Sequence, residues 1–298
     1  MNESDARIDG LQKSYRRKLQ LIRDRVRSVA ECYHTAIYIV GRPGTSKTFT
    51  VKEELERLSV PFVIRNARMT PMGLFDFLHE HPEHIIVLDD IASLFGQPAA
   101  LQILMAALDG DPDVPRKVTY KSKDKSISFE FSGGIIAISN VPLRQDPLAN
   151  AVTSRLVQLE HEPSDEEIAA FMFHLSLEGY KDLTSDECKE VVEFIVAETR
   201  QYDERLDLRH LAKAYEDRRQ WEHGNSMTQW QDLVRTSLNK MMVESSIPMT
   251  KADEIELQRS KVKEVIQRFP NDRERQMKES QLKKSTFYKR LRELQTAS

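Results

Sequence analysis

The chain has 298 residues, 40% hydrophobic and 31% charged, with a net charge of −3 at neutral pH. That length supports two or three domains with cores of their own, and the balance describes a helix-leaning globular chain rather than a disordered or fibrous one. No apolar run approaches the roughly 18 residues of a membrane span. The opening Met-Asn-Glu-Ser-Asp lacks a signal-peptide pattern, and Cys32 and Cys188 suit neither a disulfide nor a metal framework, so a cytoplasmic protein without membrane contact is expected.

In chain order, the first predicted element is an amphipathic helix over 8–31. Leu11, Tyr15, Leu19, Ile22, Val26 and Val29 follow three- and four-residue spacing. Its other face is basic, carrying Arg16, Arg17, Lys18, Arg23, Arg25 and Arg27. A strand over 35–40 then runs into Gly41-Arg-Pro-Gly-Thr-Ser-Lys-Thr48, nearly the phosphate-binding pattern G-x-x-x-x-G-K-[ST] with Ser46 in place of the last glycine. The loop residues Gly41, Pro43, Gly44, Thr45 and Ser46 are expected to wrap phosphates, with the loop's backbone N–H groups pointing inward, in front of a helix over 47–58. Lys47 is expected to reach the outer phosphates and Thr48 to bind Mg²⁺. Ser46 puts a Cβ near the phosphates, so either binding weakens or its hydroxyl adds a contact.

A strand at 61–65 ends at Asn66, and a helix is predicted near 71–80. His79, His81 and His84 read as a solvated loop. Ile85-Ile-Val-Leu-Asp-Asp90 is a buried strand ending in two carboxylates, the form of a Walker B segment. Asp89 is expected to hold Mg²⁺ and Asp90 to polarise water. After a helix near 98–108, Arg116–Phe131 reads as two short strands around a lysine-rich turn of Lys121, Lys123 and Lys125, with Tyr120 beside it. Strands follow at 134–139, ending at Asn140, and at 156–160, preceded by Ser154-Arg155. The alternation predicts an α/β fold, a parallel sheet with helices on both faces and a ligand at the carboxyl ends of the strands.

These segments together resemble the AAA+ ATPases over roughly residues 10–245. The resemblance implies ATP and Mg²⁺ as cofactors and assembly into a ring or filament, hexamer-like. It implies that Asn140 is a sensor-1 residue, that Arg155 is an arginine finger acting on a neighbour, and that Arg209 in Asp207-Leu-Arg-His-Leu211 is a sensor-2 residue opening a lid helix. Asn66 takes the place of a polar switch that restrains the catalytic carboxylate. Ile22 or Val26 is expected to line the adenine pocket. Asp90 is one methylene shorter than the family's usual Glu, although an Asp-Asp pair is similar to superfamily III helicases. In that branch a hairpin before sensor 1 points into the ring's pore. Here Lys121, Lys123 and Lys125 would either touch a translocated polymer or simply block edge pairing.

Residues 163–242 are predicted to form the helical lid. Ser164 and Glu167 form a capping signal, and Ser185 opens another helix. A linker is expected at 243–253 and a small basic domain at 254–298. Residues 251–298 hold thirteen Lys/Arg against eight Asp/Glu, a basic end on an acidic body. Lys284-Ser-Thr-Phe-Tyr-Lys-Arg-Leu-Arg resembles a helix-turn-helix recognition helix, with Phe287 and Leu291 inward and Lys284, Lys289, Arg290 and Arg292 toward phosphates. DNA is the expected partner, and a protein client or a three-helix partner-binding unit is the alternative. The expected function is thus an AAA+ ATPase acting on DNA, with a protein remodeller or a low-turnover ATP switch as the other readings. The domains are expected at 1–34 (the helix on the core), 35–162 (the nucleotide-binding α/β domain), 163–242, 243–253 and 254–298.

Overall fold

The computed structural model describes all residues except 1–2, 122–125, 143–146, 203, 246–250, 271–272, 281, 283 and 297–298. The chain divides into two compact units, residues 1–239 and 240–298.

The first unit is built on five parallel strands, β1 (Ala36–Val40), β2 (Phe62–Asn66), β3 (Ile85–Asp89), β6 (Ile135–Ser139) and β7 (Val157–Glu160), in the order β2-β3-β6-β1-β7. The three inner strands are buried almost throughout, which is why they read as unbroken apolar runs. The predicted helices 47–58, 71–80 and 98–108 appear as α2 (Lys47–Leu58), α3 (Pro71–Glu80) and α4 (Pro98–Leu108). Proline starts both α3 and α4, and the Thr70 hydroxyl caps α3 by accepting from Gly73 N at 3.1 Å.

Helix α1 (Glu3–Ala30) buries Tyr15, Leu19, Ile22, Val26 and Val29, as its periodicity requires. Much of its basic face is used inside the chain. Lys18 pairs with Glu167 at 2.6 Å, Arg23 with Glu53 at 2.8 Å and Arg27 with Glu54 at 3.2 Å, while Arg16 meets His174.

A hairpin, β4 (Arg116–Lys121) with β5 (Ser126–Phe131), lies between α4 and β6 in sequence and forms its own two-stranded sheet. A short α5 (Pro147–Thr153) leads to β7. Four helices follow: α6 (Asp165–Ser176), α7 (Ser185–Gln201), α8 (Leu208–Glu222) and α9 (Trp230–Ser245). Ser164 and Glu167 form the expected capping box on α6, and Thr184 with Glu187 forms a second on α7.

The second unit contains α10 (Lys251–Arg268), α11 (Arg273–Glu279) and α12 (Lys284–Thr296) around Val262, Val265, Phe287 and Leu291. Both ends of the segment expected as a linker are helical, and residues 246–250 lie outside the described residues. Helix α9 continues to Ser245 and α10 begins at Lys251.

Candidate functional site

The loop 41–48 is shaped by close contacts on both sides. A Cβ on Gly41 would fall 2.0 Å from the His161 carbonyl oxygen, and one on Gly44, at φ +70°, would fall 1.8 Å from the Asp207 carboxyl carbon. Only glycine fits either place. Ser46 adopts φ 64°, a left-handed conformation that costs a residue with a Cβ roughly 1–2 kcal/mol. Ser46 thus takes the backbone shape expected of the missing glycine. Asp90 is left-handed too, at φ 57°, so two strained residues flank one site.

The loop carbonyls are held from outside. The Thr45 carbonyl accepts from the Tyr15 hydroxyl at 3.2 Å and from His161 Nε2 at 2.9 Å. Burial pushes the Tyr15 hydroxyl's pKa up, which keeps it a donor, and burial lowers that of His161 from 6.5 to about 4, which keeps its ring neutral. Neutral burial has a pH signature. The unfolded chain binds a proton at His161 that the folded chain refuses, so stability is lost as pH falls from 6.5 toward 4, by about 3 kcal/mol in full. His210, also lowered by burial, acts in the same direction. Urea melts at pH 7 and 4.5 should reveal the loss, and His161→Gln should remove a substantial part of it; an unchanged difference in that variant would assign the effect elsewhere.

Lys47 is buried, and its ammonium donates to the Gly41 and Arg42 carbonyls, both at 2.6 Å, and to Asn140 Oδ1 at 3.2 Å. Burial first, and the nearby Arg209 second, lower its pKa from 10.5 to about 8. The Thr48 hydroxyl donates to Asp89 Oδ2 at 3.1 Å. Residues 44–48 line a 380 Å³ cavity together with Asp89, Asn140 and Arg209. Gly41 and Pro43 belong to the loop but not to that lining. Lys47 opens α2 after the loop that follows β1, Asp89 ends β3 and Asn140 directly follows β6, three neighbouring strands. The group suits a magnesium-bound polyphosphate: a hydroxyl and a carboxylate already paired for a hard cation, and two cations plus loop amides for the anion.

A second cavity of 550 Å³ shares Ser46, Phe49, Leu208 and Ala212 with the first. Its wall from α1 is Leu19 and Arg23. Ile22 and Val26 do not line it and are fully buried.

Several expected site residues make contacts that the sequence does not foresee. Asn66 does not restrain Asp90; its Oδ1 accepts from the Arg68 amide at 3.0 Å. It is the Arg68 guanidinium that reaches Asp90, with Nε and Nη2 both 3.3 Å from Oδ2. Asp90 is absent from the cavity lining, as is Arg155. Arg155 donates through Nε to Asp109 at 3.0 Å and through Nη1 to the Ala151 carbonyl at 2.7 Å. Arg42, Arg68, Tyr15, Asp165 and His161 escaped sequence reading, since nothing in their local pattern distinguishes them from ordinary surface or core residues.

The hairpin corrects another expectation. Tyr120 turns inward, 5.5 Å from the Phe75 ring, rather than outward beside the lysines. Alternation along β4 leaves Lys117, Thr119 and Lys121 exposed and Val118 buried. Thr119 faces Ser128 across the strands at 2.9 Å. Lys123 and Lys125 lie outside the described residues.

In the second unit Phe287 and Leu291 are buried and Lys289 and Arg292 exposed, as expected. Arg290 is not turned toward solvent. It is buried, donating to Gln258 Oε1 at 2.9 Å and pairing with Glu293 at 2.7 Å. One turn after Phe287, position 290 falls on the same face as the core stripe, and Glu293 supplies its counter-charge. The side chain of Lys284 lies outside the described residues. Among the described residues no group of His, Cys, Asp or Glu forms a metal cluster, and no helix is long and apolar enough to cross a membrane. Searches of protein-family models and of curated proteins give no match to this chain.

Proposed function

We propose that this chain is an Mg·ATP-binding ATPase of the AAA+ kind that acts on DNA as an oligomer. The observation that carries the reading is the convergence of Lys47, Thr48, Asp89, Asn140 and Arg209 on one cavity at the carboxyl ends of three adjacent parallel strands. Thr48 and Asp89 would hold the Mg²⁺, and Lys47 with the loop amides would hold the phosphates. The metal, when bound, supplies charge neutralisation on the transferring phosphoryl group. Asn140, at the end of the strand between those of the loop and of Asp89, would orient the water, and Asp90 would take its proton. Asn140 already meets Lys47, so it sits within reach of the outer phosphate position. Calorimetric titration with Mg·ATP and a steady-state ATPase assay test this reading; no binding by the full chain would end it.

Asp90 is paired with Arg68 and lies off the cavity. That favours slow turnover until a ligand or neighbour draws Arg68 away, and it keeps the low-turnover switch as a second reading. Arg155 lies outside its own chain's phosphate cavity, which agrees with a role in trans within a homo-oligomer.

The DNA side of the proposal rests on the basic second unit. With Arg290 internal, the phosphate contacts fall to Lys289 and Arg292, with Lys284 at the start of the same helix. Binding through three phosphates gives a log–log salt slope of about −3 on duplex DNA, and neutralising Lys289 and Arg292 should reduce it by about one to two. Arg290→Ala should instead destabilise the unit by removing its bonds to Gln258 and Glu293. A gel shift across salt concentrations, with and without residues 251–298, decides between DNA and a polypeptide client; no binding at low salt would favour the client, and binding unaffected by the deletion would take the DNA contact away from the second unit. The hairpin's outward lysines and hydroxyls suit phosphates without base stacking. Replacing Lys117 and Lys121 is expected to uncouple hydrolysis from DNA more than it weakens binding.

A further inference from the structure

The phosphate loop and the start of α8 are joined by two straps. The first is direct. The Leu208 amide donates to the Gly44 carbonyl at 2.9 Å, and the Asp207 carboxylate packs on Gly44 so closely that no Cβ fits between them. The second runs through Asp165, the first residue of α6. One oxygen, Oδ1, accepts from Arg42 Nη2 at 2.5 Å and from the Leu206 amide at 3.2 Å. The Arg42 side chain is only 11% exposed, and its own amide donates to Glu162 Oε1 at 3.0 Å. A single carboxylate oxygen therefore clasps the second residue of the loop and the residue three before Arg209. Asp207 Oδ1 then takes the Arg209 amide at 2.7 Å, and Arg209 lines the phosphate cavity.

With the direct strap alone, the 206–209 turn hangs from the loop by one backbone bond and can pivot about it. A second anchor two residues upstream removes that freedom. The Arg42–Asp165 contact is charge-assisted and largely shielded on the arginine side, which makes it stiffer than an exposed pair. A long side chain such as Arg209 amplifies small rotations of its backbone, so its guanidinium position depends on both anchors.

We propose that Asp165 is a positioning residue: with Arg42 it holds the 206–209 turn against the phosphate loop and fixes where the Arg209 guanidinium meets the outermost phosphate of the ligand. This rests on the nucleotide reading above. It names the device that lets the site tell a triphosphate from a diphosphate and links the loop's state to the lid helix.

The test uses the full chain titrated calorimetrically with Mg²⁺ and either the non-hydrolysable imido analogue of ATP or ADP. Asp165→Asn keeps an acceptor for Leu206 but loses the charge that holds Arg42; Arg42→Met cuts the same strap from its other end. Each should lower the ratio of analogue to ADP affinity by about fivefold to tenfold, the scale of the net contribution of one hydrogen bond. Arg209→Ala should lower the ratio at least as much, and Asp165→Asn added to it should cost nothing more. Should one strap variant fail to fold, the other decides. An unchanged ratio in the strap variants, or an additive loss in the double variant, would overturn the proposal while leaving nucleotide binding intact. A wild-type chain that binds neither ligand would overturn the nucleotide reading and this inference with it.

Discussion

Lys47→Ala is expected to weaken ATP binding at least about tenfold, equivalent to about 1.4 kcal/mol or more, and to remove turnover. Lys47 supplies the loop's one ammonium, enclosed at the cavity, and the loop's other cation, Arg42, is held by Asp165. Its three present acceptors are carbonyls or an amide oxygen, which phosphate oxygens outcompete because they carry charge. The same residue carries a pH signature. The ligand-free pKa is lowered to about 8, and an anion beside the ammonium raises it again. Binding therefore takes up a proton once the pH exceeds about 8, and affinity should fall above that pH by up to about one decade per unit. Folding has the opposite dependence: the folded chain binds fewer protons than the unfolded one between about 8 and 10.5, so this residue's effect on stability becomes more favourable as pH rises through that window. Titrations at pH 7, 8 and 9 in two buffers of different ionisation enthalpy measure the proton uptake. Unchanged affinity in Lys47→Ala would remove the basis of the reading.

Asp90→Asn is expected to lower turnover by about 10²–10⁴ while keeping nucleotide affinity, since a general base is lost and no phosphate contact is. Arg155→Ala is expected to cost a similar factor for a different reason, the loss of a cation opposite the neighbour's outer phosphate. Two of the Arg155 donor atoms are occupied by Asp109 and Ala151, so the guanidinium is already oriented before any neighbour arrives. The two variants mixed should recover part of the activity, because one intact base and one intact arginine then share some of the sites. Arg155→Ala that hydrolyses ATP normally as a monomer would remove the trans assignment. In Arg68→Ala, release of Asp90 should raise basal turnover, in contrast to either of the other substitutions.

Sequence by itself determined the parts of this protein that depend on local chemistry. The loop 41–48, the strand ending in Asp89-Asp90, the strand ending at Asn140 and the Ser164–Glu167 cap each need particular residue types at fixed spacing, and each forms where the pattern lies. Periodicity likewise specified the buried stripes of α1 and α12, because burial selects one face of a helix. Tertiary structure alone decided which long polar side chains serve the site. Arg290 has the composition of a surface cation yet finds Glu293 and Gln258 inside. Tyr120 has an aromatic suited to a polymer yet packs on Phe75. Asp90 meets Arg68 rather than Asn66, although Asn66 ends the neighbouring strand. In each case the partner comes from another turn or another element. A flexible side chain is captured by whichever counter-charge or apolar surface the packing brings within a few ångströms, and where the partner comes from another element that proximity has no signature in the residue's own neighbourhood in the chain. Asp165 is the extreme instance: as the first residue of a capped helix it reads as helix punctuation, and only the approach of Arg42 and Leu206 turns it into a strap.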